Sequence, residues 1–235
     1  MLLSVIIPSY KEAENLEIIL PQIKKCLAGI DAEILVIDTS VPIDNTPQIC
    51  AKNGVVYVPR SGGNNYGDAI RTGIKRATGE YSLVMDADGS HSPEYIPHFL
   101  QEMRNKGYDL IIGSRYCDEG KTDNIAILRF MSYVLNITYR YIFRLNVQDI
   151  SNSLRLYKTN QLKALSLKCN NFDIVEEILI ALTIYNENMK IKEVPVFFKK
   201  RLAGESKRNL YKFILSYIFT IFRLLRIKHN LKRKG

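Results

Sequence analysis

Short apolar runs rich in β-branched residues alternate with amphipathic segments of helical period over the first half of the chain. Such alternation predicts a largely parallel sheet whose strands are joined by crossover helices. The predicted strands are Leu3–Pro8, Glu33–Asp38, Val55–Pro59, Tyr81–Met85 and Leu110–Gly113. The predicted helices between them are Glu14–Leu27, Thr46–Asn53, Tyr66–Ala77 and Pro93–Lys106. We therefore expect a doubly wound α/β fold.

The pattern changes after about residue 124, where long amphipathic helices are predicted. These helices cover about Ile125–Arg144 and Tyr211–Lys232, and the strand-like segment Lys192–Phe198 lies between them. The sequence shows no internal repeat, low-complexity run or linker rich in Pro, Gly and Ser. We therefore expect one domain over residues 1–208, followed by a basic amphipathic helix over residues 209–235.

The positive charge of the chain is concentrated at its C-terminal end. The net charge is +9, but residues 1–198 have a balance of −2 and residues 199–235 a balance of +11. A basic segment of this kind favours a polyanion, which could be nucleic acid, an anionic membrane or a phosphorylated substrate. A nucleic-acid module would spread basic and aromatic residues over one sheet face, whereas the strand ends here carry acids. We do not expect nucleic acid as a partner.

The C-terminal segment is apolar in its first half and basic at its end. Around Phe213–Phe222 the apolar content exceeds one helical stripe, which favours contact with an anionic membrane surface over a helix that only packs on the domain. The longest uncharged aromatic-rich stretches, such as Phe130–Tyr139, have about ten residues, against the roughly 20 that span a bilayer. The N-terminus lacks the features of a secretory signal, and the four cysteines have no metal-ligand spacing. We expect a cytoplasmic protein that is peripheral on the inner face of the membrane.

Polar residues follow each predicted strand, and the pair Asp86 and Asp88 within Val84–Pro93 is the sharpest of these signals. Residues two apart in extended backbone point the same way, so both carboxylates can converge on one hard divalent cation and leave positions for substrate phosphates. Alternatively, they cap the helix predicted to begin at Pro93. No GxGxxG or Walker sequence follows any strand, so a dinucleotide or P-loop site is not expected.

Seven segments in order resemble the dolichol-phosphate mannose synthase-like branch of the family 2 glycosyltransferases. They are Ile7–Leu16, Ile37–Ser40, Ala77–Tyr81, Met85–Pro93, Gly113–Tyr116, Asp149–Tyr157 and Glu193–Lys207. The resemblance implies the GT-A fold, a Rossmann-like and mostly parallel sheet with flanking helices. It also implies an inverting, metal-dependent enzyme that moves a hexose from a GDP- or UDP-sugar to polyprenyl or dolichyl phosphate.

An alternative acceptor is a glycan hydroxyl in the synthesis of cell-surface polysaccharide, lipopolysaccharide or glycoprotein. The chain contains no Trp, which excludes the QxxRW motif of processive polysaccharide synthases. A degenerate, inactive member of the family is a further alternative, because Thr39 stands where the family commonly has a second Asp. Two other departures are Asn65-Tyr66-Gly67 in place of Gly-x-Gly and Gly89 in place of Leu. These departures leave the donor base open.

The resemblance also assigns residues to the donor and the metal. It places four residues at the nucleotide sugar: Pro8, Tyr10, Glu12 and Asp38, the last at the base. It implies that Asp86 and Asp88 hold Mg2+ or Mn2+ together with the diphosphate, and that Ser90 assists the metal.

The phosphates of donor and acceptor are assigned a further set of residues, namely Arg115, Arg129, Ser132, Arg201 and Lys207. An attacking phosphate oxygen is already ionised near neutral pH, so the reaction needs positioning and charge neutralisation more than a general base. On this basis Asp88, Arg115 and Arg129 are expected to carry the catalytic step.

Two further titratable residues are weaker candidates. His91 could act as a base or metal ligand, but a His beside a helix start more often packs or caps, and we expect that role. Glu176 lies in a predicted helix beginning after Asn171, in a region where hydroxyl-transferring relatives place a base. We expect Glu176 and Glu177 to lie on a solvated helix face.

Overall fold

The computed structural model describes residues 1–203 and 210–232, with the side chains of the last helix described over 217–229. Its strands are β1 Leu3–Pro8, β2 Ala32–Asp38, β3 Val56–Pro59, β4 Tyr81–Val84, β5 Leu110–Ser114, β6 Lys121–Thr122, β7 Arg155–Lys158, β8 Ile191–Pro195 and β9 Phe197–Phe198. Its helices are α1 Ala13–Cys26, α2 Thr46–Asn53, α3 Tyr66–Arg76, α4 Tyr95–Lys106, α5 Ala126–Phe143, α6 Thr159–Lys163, α7 Ile174–Tyr185 and α8 Leu210–Lys232.

Seven strands form the central sheet in the order β3-β2-β1-β4-β7-β5-β8, while β6 and β9 pair separately. All neighbours in the central sheet are parallel except β7, which runs antiparallel between β4 and β5. The five predicted strands are confirmed, and so is the mostly parallel α/β architecture. The sequence analysis missed β7 because this short strand begins with Arg155, whose charge hides the apolar pattern.

The strands of the central sheet bury both of their faces, as parallel strands under crossover helices do. Ile6 of β1 belongs to a core cluster that also contains residues of α3, α5, α7 and α8. Its neighbours Val5 and Ile7 belong to a second cluster with α1, α2 and α4. Alternate side chains of β1 therefore face two helical layers on opposite sides of the sheet. The carboxyl ends of the strands lie at the edge of the sheet between these layers.

The C-terminal region differs in detail from the prediction. The predicted strand Lys192–Phe198 is divided at Val196, which donates its N–H to the carbonyl of Ser114 at 3.0 Å. Helix α8 packs on the domain through buried Tyr217 and Leu224, so one of its faces belongs to the core. The predicted domain boundary at residue 208 lies outside the described residues. Among the helices of the described ranges, none is both long and apolar enough to cross a bilayer.

Candidate active site

A cavity of about 1310 Å³ opens at the carboxyl ends of the strands. This is where parallel α/β sheets bind ligands, because the loops that follow the strands form a crevice there. Nine residues predicted for the site line it: Pro8, Tyr10, Glu12, Asp86, Asp88, Ser90, Arg115, Ser132 and Arg201. The structure thus gathers in one place residues that are widely separated along the chain.

Two predicted residues do not line this cavity, and a third lies outside the described residues. Asp38 is fully buried, and Arg129 is exposed on α5 without lining the cavity. Lys207 lies outside the described residues. The roles assigned to these three residues stay predictions.

Asp86 is held by two hydroxyl groups. The hydroxyl of Tyr66 donates to Oδ1 at 3.1 Å, and Oγ of Ser153 donates to Oδ2 at 2.9 Å. The carboxylate is partly accessible from the cavity, with 16% of the side chain exposed. Its orientation is therefore fixed while its oxygens can still be reached by a ligand.

His91 is a structural residue beside this carboxylate. The backbone N–H of Asp86 donates to Nδ1 of His91 at 3.1 Å, so Nδ1 is an acceptor and the proton of the neutral ring lies on Nε2. Nε2 donates to Oδ1 of Asn152 at 2.9 Å. Because both ring nitrogens are engaged and the residue is only 1% exposed, the predicted packing role of His91 is confirmed.

Asp88 has one engaged oxygen and one open oxygen. Oδ1 accepts from the backbone N–H of Ser90 at 3.0 Å and from its Oγ at 2.6 Å. No hydrogen bond from the described residues reaches Oδ2. Ser90 therefore orients Asp88 in this structure, and Oδ2 is the oxygen best placed to bind a cation.

The turn that carries Asp88 is tied to the segment after β9. The N–H of Leu202 donates to the carbonyl of Asp88 at 3.0 Å, and the N–H of Lys199 donates to that of Ser90 at 3.0 Å. Gly89 has φ +77, and a Cβ there would lie 2.4 Å from Cδ1 of Leu202. The departure from Leu at position 89 thus has a local reason, since this turn favours glycine.

The residues that could hold a divalent cation are the two acids of this turn. In the described ranges, no group of three or more His, Cys, Asp and Glu side chains could hold a metal ion. The two carboxylates fit a hard cation whose remaining positions are filled by phosphate oxygens and water, which is the pattern Mg2+ favours at phosphate sites.

Arg201 and Glu12 form an ion pair across the cavity wall. Nη2 of Arg201 lies 2.9 Å and 3.0 Å from the two carboxylate oxygens of Glu12, and Nε donates to the carbonyl of Ala203 at 2.8 Å. The pair joins the loop after β1 to the segment after β9. Both residues were predicted at the site, but their mutual contact was not.

Arg115 forms a buried ion pair with Asp149. Nε and Nη2 of Arg115 each donate to one oxygen of Asp149 at 2.8 Å, and Nη2 also donates to Oγ of Ser151 at 2.7 Å. Burial alone would raise the pKa of Asp149, but the charge and hydrogen bonds of Arg115 hold it below its usual value. The guanidinium of Arg115 is therefore fixed in position on the cavity wall, 7% exposed, with its charge paired to Asp149.

Arg60 is a residue of the cavity wall to which the sequence analysis assigned no role, although it is one of the polar residues that follow the predicted strands. Its guanidinium donates to four backbone carbonyls, those of Ser9, Asp38, Asn64 and Asn65. It thereby ties the ends of β1 and β2 to the loop before α3. Its position directly after β3 was the available signal, since polar residues at strand ends line such sites.

Asp38 lies beneath this wall rather than in the cavity. Burial raises its pKa, and the hydroxyl of Tyr57 donates to Oδ2 at 3.5 Å. In this arrangement the carbonyl of Asp38 accepts from Nε of Arg60 at 3.0 Å and so supports the loop around Arg60.

Helix α5 supplies an apolar wall on the other side of the cavity. Ser132 lies on this wall together with Ile125, Leu128, Met131 and Leu135. The cavity therefore has an acidic end and an apolar side.

The expectation for Glu176 and Glu177 is wrong, because both are buried. Glu176 has no exposed surface, and burial raises its pKa to about 8. Glu177 accepts backbone hydrogen bonds from Lys168 and Cys169 and pairs with Arg223 of α8 at 3.0 Å. Helix α7 is apolar on all sides apart from these acids, which is typical of a buried helix. Neither acid lines the cavity.

Comparisons with known proteins agree with this geometry. The sequence profile described as Glycosyl transferase family 2 matches residues 4–165. The chain is 33% identical to the dolichol-phosphate mannosyltransferase of Pyrococcus furiosus, over 99% of this chain and 66% of that protein. It is 32% identical to the undecaprenyl-phosphate mannosyltransferase of Micrococcus luteus, over 87% of this chain and 86% of that protein. The chain thus spans slightly less than two thirds of the first relative.

Solved structures show the same fold at lower identity. The glucosyl-3-phosphoglycerate synthase of Mycobacterium tuberculosis, in complex with Mn2+, UDP and glucosyl-3-phosphoglycerate, superposes with a TM-score of 0.73. That match has 16% identity and covers 97% of this chain and 79% of the other. The same enzyme with Mn2+ and UDP-glucose gives a TM-score of 0.74 at 16% identity, covering 95% and 78% of the two chains. The chain has the GT-A fold and belongs to glycosyl transferase family 2.

Proposed function

We propose that the protein is an inverting glycosyltransferase that moves a hexose from a nucleotide-diphosphate sugar to a polyprenyl phosphate at the cytoplasmic face of a membrane. The observation that carries this proposal is the single cavity that joins the acids Asp86 and Asp88 to the apolar wall of α5. Two relatives about one-third identical, named for mannosyl transfer to dolichol phosphate and undecaprenyl phosphate, support this acceptor class.

The donor binds at the acidic end of the cavity. Pro8, Tyr10 and Glu12 form the loop beside it, and Asp86 and Asp88 face the diphosphate. These two acids would hold Mg2+ or Mn2+, which supplies positive charge to stabilise the nucleoside diphosphate as it leaves. The protein crystallised with Mn2+ and UDP-glucose shows that the same fold accommodates such a donor with its metal.

In this proposal the acceptor phosphate lies between the donor sugar and the side chains of Arg115 and Ser132, which both line the cavity. Its oxygen is already ionised near neutral pH, so attack on the sugar carbon needs no proton removal. His91, with both ring nitrogens engaged, and Glu176, which does not line the cavity, are accordingly not placed to remove a proton from the acceptor. Arg129, three residues before Ser132 on α5, and Lys207 are further phosphate contacts in this proposal.

Helices α5 and α8 present exposed apolar side chains that are suited to a lipid surface. On α5, Phe130 is 62% exposed and Tyr141 87%; on α8, Phe219 is 70% exposed and Phe222 67%. The two helices touch where the hydroxyl of Tyr139 donates to the carbonyl of Tyr217 at 3.2 Å.

The sequences of α5 and α8 contain no Asp or Glu, while both contain Arg. An exposed apolar face with only positive charge fits the interface of an anionic bilayer. We place this face on the membrane, so that the polyprenyl chain enters the cavity along α5.

The test is transfer of labelled sugar from a panel of GDP- and UDP-sugars to undecaprenyl and dolichyl phosphate, with Mg2+ or Mn2+. The comparison is between the wild type and Asp88→Asn, which keeps the side-chain shape but removes the charge. Asp118→Asn is the matched control, because Asp118 is exposed and does not line the cavity. We expect metal-dependent labelling of lipid that falls at least 100-fold in Asp88→Asn and is unchanged in the control. Equal labelling by Asp88→Asn would contradict the proposal.

A further inference from the structure

Tyr66 connects the cavity acid Asp86 to a distant segment of the chain. Its hydroxyl donates to Oδ1 of Asp86 at 3.1 Å, and its ring stacks on Phe172 with centroids 4.3 Å apart and an angle of 25° between the planes. Both rings line the cavity. The ring of Tyr66 thus packs on Phe172, while its hydroxyl holds the orientation of the Asp86 carboxylate.

The backbone beneath Tyr66 is fixed by close contact with the segment that carries Phe172. The N–H of Gly67 donates to the carbonyl of Asn170 at 2.8 Å. A Cβ at Gly67 would lie 2.1 Å from the carbonyl oxygen of Cys169, so only glycine permits this approach. Asn65 and Asp68 close a capping box around the same helix start. The start of α3 therefore cannot shift without breaking several contacts.

Phe172 is fixed in turn by helix α8. Its neighbour Asp173 accepts a hydrogen bond from Thr220 at 2.5 Å and one from the N–H of Asn171 at 3.1 Å. Glu177 accepts the N–H groups of the preceding loop and pairs with Arg223. These contacts make the segment before α7 a rigid support for the aromatic ring.

These contacts restrict the orientation of the Asp86 carboxylate. With Tyr66 on Oδ1 and Ser153 on Oδ2, rotation of the carboxylate about its Cβ–Cγ bond would break one hydroxyl contact or the other. A carboxylate oxygen has two lone pairs, so each oxygen keeps one for a cation. Groups that orient ligand side chains in this way typically contribute tenfold to a hundredfold to metal affinity.

We propose that Tyr66 is a positioning residue that sets the carboxylate of Asp86 for the divalent cation of the donor complex, with Phe172 as its support. The inference rests on the proposed function for the presence of that cation. It adds a residue to the site at a position where this chain departs from the pattern of its family, since Tyr66 lies in the segment that replaces Gly-x-Gly.

The experiment measures Mn2+ binding by the electron paramagnetic resonance signal of free Mn2+, with UDP or GDP present and no acceptor. Tyr66→Phe keeps the ring on Phe172 and removes only the hydroxyl. Tyr185→Phe is the matched control, because Tyr185 is a 61% exposed residue at the end of α7. We expect the Kd for Mn2+ to rise about tenfold in Tyr66→Phe, with unchanged Tm, and to be unchanged in Tyr185→Phe.

A second variant tests whether the ring of Phe172 supports Tyr66. Phe172→Leu leaves the Tyr66 hydroxyl in place but removes its aromatic support, and we expect it also to weaken Mn2+ binding. An Mn2+ affinity in Tyr66→Phe within twofold of the wild type would overturn the inference alone. A wild type that binds no Mn2+ with either nucleotide would overturn the inference and the metal dependence of the proposed function together. Lipid labelling plays no part in this measurement, so a failure of the acceptor assignment is seen separately.

Discussion

At the scale of single residues, the carboxyl group of Glu176 is one of the fully buried acids of the fold. It has no exposed surface, and Arg155, Asp173 and Tyr217 are the charged and polar groups that act on it. Burial is the largest cause that raises its pKa, to about 8, and the nearby positive charge of Arg155 offsets this only in part. Glu176 is therefore protonated in the folded protein at neutral pH, which is how a buried acid avoids the cost of desolvating its charge.

This protonation predicts a dependence of stability on pH. The unfolded chain releases the Glu176 proton near the ordinary pKa of 4.5, whereas the folded protein keeps it up to a pKa of about 8. Between these values the folded state holds the extra proton, so the contribution of Glu176 to stability is full below pH 4.5 and is lost as pH rises to 8.

Glu176→Gln, which is neutral at every pH, removes this contribution. The free energy of unfolding, measured with urea at pH 5.5 and pH 8, should therefore shift in favour of the variant as pH rises. The limit is about 1.4 kcal/mol per pH unit. Parallel pH profiles for the two proteins would show that Glu176 titrates normally in the fold.

Other residues show which parts of the site could be predicted from the sequence and which could not. Asp88 could be placed at the cavity from its position after an apolar strand and Ser90 from the family resemblance, and both lie there. The link from Tyr66 to Asp86 spans 20 positions, and its support Phe172 is far beyond. Contacts of this kind depend on which loops meet after folding, and no local pattern encodes them.

At the scale of elements, the two helices α5 and α8 divide their surfaces between the core and the exterior. Tyr139 and Leu224 are buried, whereas Phe130 and Phe222 on the same helices are more than 60% exposed. The sequence predicted both helices and an apolar excess on the second. The sequence did not show that α5 also has an exposed apolar face, because the helical period of α5 alone does not tell which side of the helix packs against the sheet.

The exposed face of α8 carries a prediction about membrane binding. The double substitution Phe219→Ser and Phe222→Ser should reduce binding to vesicles of phosphatidylglycerol and phosphatidylcholine at least tenfold, because each ring contributes apolar area at the interface. Binding is measured by flotation, and Tm should not fall because both side chains are mostly exposed. Ile18→Ser on α1 is the control, since Ile18 is 46% exposed on another helical layer. Equal flotation of all three proteins would place the membrane contact elsewhere.

At the scale of the whole molecule, the fold could be predicted further than the site. The parallel strands were predicted because β-branched runs buried on both faces leave a clear pattern, and the strand ends then located the cavity. Strand β7 and the burial of Glu176 and Glu177 were missed. A sequence pattern assigns a charged residue to the surface, and only the folded structure shows the partners with which it is buried. Asp38 was predicted at the site because it ends a strand, but its carboxylate is buried and does not line the cavity.

The whole molecule also bears on the proposed lipid-phosphate acceptor. The acidic end of the cavity, the guanidinium of Arg115 and the apolar wall of α5 lie in one enclosure, next to a face with exposed aromatic residues. Such an enclosure can hold an ionised acceptor and its hydrocarbon chain at the same time. Among the described residues that line it there is no His, and its Glu12 is paired with Arg201; the other acids of the lining are Asp86, Asp88 and Asp123.

The most direct test of this account compares undecaprenyl phosphate with undecaprenol as acceptor, using the donor that the panel identifies. The two lipids have the same chain and differ only in the phosphate. We predict sugar transfer to undecaprenyl phosphate and transfer at least 1,000-fold slower to undecaprenol, because the free alcohol lacks an ionised nucleophile. Comparable rates with both lipids would contradict the assignment of a phosphate acceptor.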